Sequence, residues 1–191
     1  MKRYKFLNKV GRQIKSNSGN TVWKLGEWQK IEGKPSLCNW GFHCSREPYD
    51  AFSYVQGEIL AEVEVRGKKD IQKDKEAWSE MRLIKLYKWT KKDSLRLAIF
   101  SAELCLKNYE KEYPNDKRPR EAIEAAKKVL FKDTAKNRAA ARYAAWYAAE
   151  SAARSVAWSA ARSAARYAAE SAAIKKIQKY FKEIVKELDE L

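Results

Sequence analysis

The residues best suited to chemistry lie in two short stretches. Cys38, His43 and Cys44 fall close together and include the single histidine of the chain. A zinc site needs three or four ligands at workable spacing. No fourth Cys or His lies nearby, so the trio predicts reduced thiols and a core or cleft histidine rather than a metal centre. A Cys–His nucleophile pair is disfavoured as well, because His43 and Cys44 are adjacent and neighbours on a strand point to opposite faces. The second stretch is Trp78-Ser79-Glu80-Met81-Arg82, in which Glu80 stands just before a strand-like run. The sequence shows no phosphate loop, no nucleotide-binding glycine motif and no paired metal-binding carboxylates. It therefore offers no firm catalytic constellation of its own, and no metal or cofactor is expected.

A third set of residues suits binding. Arg142, Trp146, Tyr147, Arg154, Trp158, Arg162, Arg166, Tyr167, Lys175 and Lys176 combine cations with large aromatic rings, which can pair with acidic groups and stack or pack beside them. The net charge is +15 and the isoelectric point about 9.7. Such a surplus predicts an acidic partner, a host protein or nucleic acid.

Most of these binding residues sit on one element. From Ala139 to Ala173 there is no Gly or Pro, and Ala pairs recur every four residues, a strong helix signal. Four residues turn about 400°, so the Ala stripe advances about 40° per repeat. The stripe drifts in the right-handed sense, which predicts either partner helices wrapped around it or two shorter helices. The same drift spreads the arginines around the helix. Arg or Glu interrupts the apolar run every few residues, which argues against a membrane span. Beyond it, Ile174, Ile177, Phe181, Ile184, Leu188 and Leu191 alternate three and four apart, a heptad seam. It is expected to pack on the two preceding helices, with self-association through Ile174, Ile177, Phe181, Ile184 and Leu188 as the alternative.

The N-terminal half reads differently. Strands are expected at residues 4–7, 21–25 and 28–31, a short helix opens with Pro48 near its first turn and closes at Gly57, and Ile59 to Val65 alternates like a half-buried strand. Lys68 to Lys75 reads as a charged excursion, and Arg82 to Trp89 as the last strand. From Asp93 the spacing becomes helical, with Asp93 or Ser94 as cap; Pro114 stops that helix, Pro119 opens the next and Thr134 caps the Ala-rich one. Asp116, Arg118 and Arg120 are placed to form salt bridges at the corner between the first two. The fold class expected is α+β: a small mixed or antiparallel sheet domain over residues 1–92, then an Ala-rich all-α domain over residues 93–191. Three cysteines make an odd count, and no secretory leader pattern opens the chain, so an intracellular setting is expected.

Three resemblances add to this. Residues 37–51, from Leu37-Cys38 through Gly41-Phe42-His43-Cys44-Ser45 to Pro48-Tyr49-Asp50-Ala51, resemble the LCxxGFHAxxxPLDAL pattern of an uncharacterised, GFHxS-type domain of phage and prophage proteins. Residues 109–126, carrying Tyr113-Pro114-Asn115-Asp116-Lys117-Arg118-Pro119-Arg120-Glu121-Ala122-Ile123, resemble the FExxYPxDxRPRxAIEAA signature of a polymorphic-toxin immunity family, with Ala-rich helices after it. The order of strand, Gly41–Ser45 motif, helix, strand and Glu80 is also similar to the ADP-ribosyltransferase layout. That resemblance implies that Glu80 would hold a ribose hydroxyl of a nicotinamide dinucleotide. His43 to Ser45 would line the ribose side, and Arg3 or Tyr4 would stand on the first strand. Together these readings predict a non-enzymatic phage-encoded protein that blocks a host defence factor through a basic helical surface, in the cytoplasm of an infected bacterium. The alternatives are an ADP-ribosyltransferase-like enzyme and a sponge for a nucleotide-derived ligand, both using the N-terminal cleft.

Overall fold

The computed structural model describes residues 2–18, 21–145 and 163–191. The chain is α+β, an antiparallel sheet nearly closed into a barrel followed by helices. Its elements are β1 (Arg3–Val10), β2 (Gln13–Lys15), β3 (Val22–Trp23), β4 (Gln29–Lys30), β5 (Phe42–Cys44), α1 (Pro48–Tyr54), β6 (Ile59–Ile71), β7 (Glu76–Lys88), α2 (Lys91–Glu112), α3 (Arg118–Phe131), a helix α4 over residues 135–145, and α5 (Ser163–Lys186). They form two compact units, one of Met1–Thr90 with Gln178–Leu191 and one of Lys91–Ile177.

In the first unit the strand order is β3-β2-β1-β6-β7-β4, with β5 also on β7. The end of β5 returns to β1: Tyr4 N–H donates to the Ser45 carbonyl (2.8 Å) and Ser45 N–H to the Tyr4 carbonyl (2.9 Å). The circuit β1-β6-β7-β5 is thereby closed, and few backbone groups are left unpaired at its edge. Inside lie Leu7, Ala61, Val63, Met81 and Leu83, with Trp23 and Phe42 meeting edge to face at 5.3 Å. Because successive side chains point to opposite faces, Phe6 leaves this core and enters a second cluster with Phe52 of α1, Trp89 and Phe181.

Two strands extend beyond the expected ends. β6 continues to Ile71 and β7 begins at Glu76, so the charged excursion Lys68 to Lys75 is the tip of a long hairpin, closed by Gln72 N–H to the Lys75 carbonyl (2.9 Å). Gly67 sits at the bulge between Arg66 and Lys69 with φ 85°. A β-carbon there would overlap the Ser79 hydroxyl, which instead accepts the Lys68 N–H at 2.9 Å.

The last helix also corrects the sequence reading. Phe181 and Ile184 are fully buried in the unit that holds the sheet, where Phe181 stacks on Trp89 at 4.8 Å and meets Tyr49 and Phe52. Those two seam positions are thus covered within the chain rather than by α2 and α3, and they are not free for self-association. The chain end then follows β7: Lys88 N–H donates to the Asp189 carbonyl (3.0 Å) and Leu191 N–H to the Leu86 carbonyl (2.9 Å).

In the second unit, Leu95, Ile99 and Leu106 of α2 meet Ile123, Ala126 and Leu130 of α3, spaced as one helical face requires. α2 starts at Lys91, ahead of the expected cap, and places Asp93 in its first turn. The corner between α2 and α3 is fixed by Asp116, which accepts from Arg118 Nε and Nη2 (2.8 Å each) and from the Tyr109 hydroxyl (2.8 Å). Arg120 turns instead to Glu110, with both bonds at 2.6 Å. Thr134 Oγ1 accepts the Asn137 N–H at 3.1 Å, the N-cap bond expected of it. Among the described residues, no helix is long and apolar enough to cross a membrane.

Candidate functional site

Closure of the barrel leaves a cleft of about 950 Å³ in the first unit. Its walls come from Tyr4, Lys5 and Phe6 of β1, Ser16 to Ser18, Thr21 and Val22, Gln29 to Ile31, the segment Cys38 to Ser45, Ala51 and Tyr54 of α1, Val55 at its exit, and Lys75 at the hairpin tip. The sequence places β1 here because its Phe6 and Leu7 are buried on opposite sides, which puts Lys5, two residues before Leu7, on the Leu7 side of the strand. Pro48 presets the first turn of α1 and Ala51 is buried, so Tyr54 is carried to the rim.

The lining is basic and aromatic. Lys5, Lys30, Lys75 and His43 face it, and no Asp or Glu stands among its described residues. Trp40 is 52% exposed and Tyr54 47%. Both rings are held: Trp40 Nε1 donates to the Glu32 carbonyl (3.1 Å) and the Tyr54 hydroxyl to Asp74 (2.5 Å).

His43 joins the parts. Its carbonyl accepts from Lys5 Nζ (3.0 Å) and its Nε2 accepts the Cys38 N–H (3.0 Å). A neutral ring that accepts at Nε2 carries its proton on Nδ1. Burial first, then the Lys5 charge, holds His43 below the ordinary histidine value, so the ring is neutral at pH 7. Cys38 adopts φ 62°, and its exposed thiol accepts from Lys75 Nζ at 2.9 Å. That bond is the main reason the Lys75 ammonium titrates above its ordinary value. Cys44 differs: burial, with Glu76 second, pushes its thiol up to about 12, so it is inert at neutral pH. Burial likewise pushes the Lys5 amine down to about 8, opposed by Cys44.

Behind the cleft wall, Glu76 is fully buried and takes Arg3 Nε (2.7 Å), Arg46 Nε (2.6 Å) and Trp78 Nε1 (2.8 Å). Arg3 is thereby turned away from the cleft. Glu80 is a mid-strand residue paired with Lys30 on β4 and Arg66 on β6, and its carboxylate meets Arg66 Nε at 2.7 Å. Arg66 in turn lies 3.9 Å from the Trp28 ring centroid, with Arg82 at 4.9 Å. The structure thus brings His43, Ser45 and Tyr4 to one cleft and leaves Glu80 out of its lining. Lys5, Lys75, Cys38 and Trp40 are cleft residues that the sequence did not single out for binding. No three His, Cys, Asp or Glu side chains converge among the described residues to hold a metal ion.

Of the basic helical set, Arg142 on α4 and Lys175 and Lys176 on α5 are exposed. Trp146, Tyr147, Arg154, Trp158 and Arg162 lie outside the described residues, as do the side chains of Arg166 and Tyr167 on α5.

In comparison with known families, the model of a domain of unknown function, DUF7666, matches residues 1–93. No curated protein and no solved structure matches the chain.

Proposed function

We propose that the protein is a non-enzymatic binding protein whose N-terminal cleft takes a small anionic ligand with a flat ring. The observation that carries this reading is the lining itself, which has three lysines, exposed Trp40 and Tyr54, and no carboxylate among its described residues. A concave, largely apolar site with a few convergent polar groups is the usual form of a small-molecule site, and the sign of these groups selects an anion. The position of Glu80 favours holding over turnover, because the carboxylate that an ADP-ribosyltransferase-like reaction would need is paired with Arg66 outside the lining. In this reading the chain acts as a sponge for a nucleotide-derived signal in phage–host conflict, inside an infected bacterium. The phage-like pattern over residues 37–51 supports that setting.

The test is to purify the protein from bacteria, denature it and identify what is released by mass spectrometry, then to titrate a panel of nucleotides. We expect one small anion per chain, and Trp40→Ala and Lys75→Glu each to weaken its binding at least about tenfold. Absence of any bound anion, together with no binding across the panel, removes this reading.

A second reading keeps the basic helical surface as a blocker of an acidic host partner. It rests on the net charge of +15 and the exposure of Arg142, Lys175 and Lys176. Partner binding that is unchanged when Arg142, Arg154, Arg162 and Arg166 all become Ala would remove it. A nucleic-acid partner would also show steep salt dependence.

A further inference from the structure

The three lysines of the cleft differ. Lys30 lies on the exposed side of β4. Lys75 is held against the Cys38 thiol (2.9 Å) and 5.0 Å from the Tyr54 ring centroid, and it titrates above its ordinary value. Both are placed to serve an anion well. Lys5 stands mid-strand on β1 opposite Ala61 of β6. Its amine donates to the His43 carbonyl at 3.0 Å and lies 6.0 Å from the Trp23 ring centroid on β3, and the Cys44 thiol on β5 acts on it electrostatically. Lys5 makes no ion pair among the described residues.

Lys5 is half-buried, and drawing an ammonium out of water without a counter-charge is a poor way to attract an anion, since an exposed lysine does so without the desolvation cost. What burial does supply is a free amine. With the amine pushed down to about 8, roughly a quarter of Lys5 is neutral at pH 7.5, on the order of two hundred times the fraction for an exposed lysine. Desolvated lysines of this kind act as nucleophiles toward carbonyl compounds.

We infer that Lys5 is an imine-forming residue, and that the ligand class of the cleft is a planar, anionic aldehyde or ketone. This rests on the reading of the cleft as the ligand site. The neutral amine adds its lone pair to the carbonyl carbon, forming a C–N bond as the C=O π pair moves to oxygen. A proton passes from nitrogen to that oxygen, giving a carbinolamine. The oxygen then leaves as water with one further proton, and the C=N bond forms. The balance is one amine and one carbonyl giving one imine and one water, with no oxidant or reductant. Lys30 and Lys75 hold the anionic group, and Tyr54 and Trp40 supply ring faces at the rim.

The test uses the full chain with pyridoxal 5′-phosphate as probe, followed by borohydride reduction and peptide mapping. We expect labelling at one equivalent to fall mainly on Lys5, and Lys5→Arg to reduce total labelling at least about tenfold. Imine formation followed by absorbance in the wild-type chain should rise through pH 8 and level off by pH 9.5. Label spread evenly over exposed lysines, or a rate still climbing past pH 10, overturns the inference, and the second readout needs no variant. Pyridoxine 5′-phosphate, the alcohol analogue, cannot form an imine and separates the two claims. If it binds with micromolar affinity while Lys5 takes no label, the imine is wrong and the anion cleft stands. If neither compound binds in the cleft, both fall.

Discussion

At the scale of single residues, a fully buried carboxylate and a half-buried amine make opposite demands. Glu76 lies between Arg3 and Arg46 with no surface exposed. Burial alone would raise its carboxyl, but the hydrogen bonds from Arg3, Arg46 and Trp78 outweigh burial and hold it below the ordinary carboxylate value. Its contribution to stability is therefore present above the unfolded value of 4.5 and is lost as pH falls through the depressed folded value. Glu76→Gln keeps the shape and leaves Arg3 buried without its counter-charge, which should cost about 3 kcal/mol at pH 7 in urea denaturation. The same variant should show a shallower acid limb than the wild type. Lys5 runs the other way. Its folded value of about 8 lies below the ordinary 10.5, so the unfolded chain binds more protons between those limits and stability rises with pH across them. We expect a gain of about 3 kcal/mol from pH 8 to 10.5 in the wild type and its absence in Lys5→Met. Equal slopes for the two proteins would show that the amine is solvated. Neither residue was legible in the sequence. His43 and Ser45 were recognisable as cleft residues through the ADP-ribosyltransferase-like layout of motif and strands, which also offered Tyr4 as an alternative to Arg3. Glu76 meets partners 73 and 30 positions away, and Lys5 is one Lys among many until β5 closes over it.

At the scale of elements, the sequence was legible where apolar residues recur at a regular period, even in β6, whose Ile59 to Val63 are buried on both faces. Ile59 to Val65 alternates and is strand; the helical spacing of Leu95, Ile99 and Leu106 is a helix face. The rest of β6 was misread because from Arg66 onward it is largely exposed, and the start of β7 because Glu76, Ala77 and Ser79 are buried without an apolar alternation, so period 2 leaves no trace in either. Gly57 was read as closing α1, yet α1 ends at Tyr54 with Val55 in an extended conformation, its N–H bound to the Ala51 carbonyl. The glycine serves close approach instead, since a β-carbon there would overlap the backbone of Leu7 on β1. Relief would require the chain leaving α1 to shift away from β1, close to the first pairs of the β1–β6 ladder. Gly57→Ala should therefore cost at least about 2 kcal/mol, whereas Gln56→Ala, next to it and exposed, should stay within about 0.5 kcal/mol. Thermal unfolding of the two variants side by side checks this, and a neutral Gly57→Ala would mean that the loop moves freely off β1.

At the scale of the whole molecule, the heptad spacing showed that Phe181 and Ile184 must be covered but could not show by what. The apolar period of a helix marks a face, and the identity of the surface it meets depends on contacts far away in sequence. Here that surface is Trp89, Phe52 and Tyr49, so the first unit is completed by residues that come after the helices. The segment 1–93 that matches the domain model lacks them. Phe181→Ala should cost about 3–5 kcal/mol, as for large aromatic truncations in a core. A fragment of residues 1–93 should leave Trp89 and Phe52 uncovered, bind hydrophobic dyes and unfold without a sharp transition. Because Trp89 stacks on Phe181 at 4.8 Å, the chain leaves this unit and re-enters it at neighbouring points. A short Gly-Ser linker from Thr90 to Gln178 in place of residues 91–177 should therefore restore a cooperative transition and the anion cleft together, since every described lining residue lies in 1–90. If the 1–93 fragment unfolds as sharply and at the same midpoint as the linked form, the terminal helix is an accessory and the first unit stands without it. If only the linked form is cooperative, residues 178–191 belong to the fold that builds the cleft.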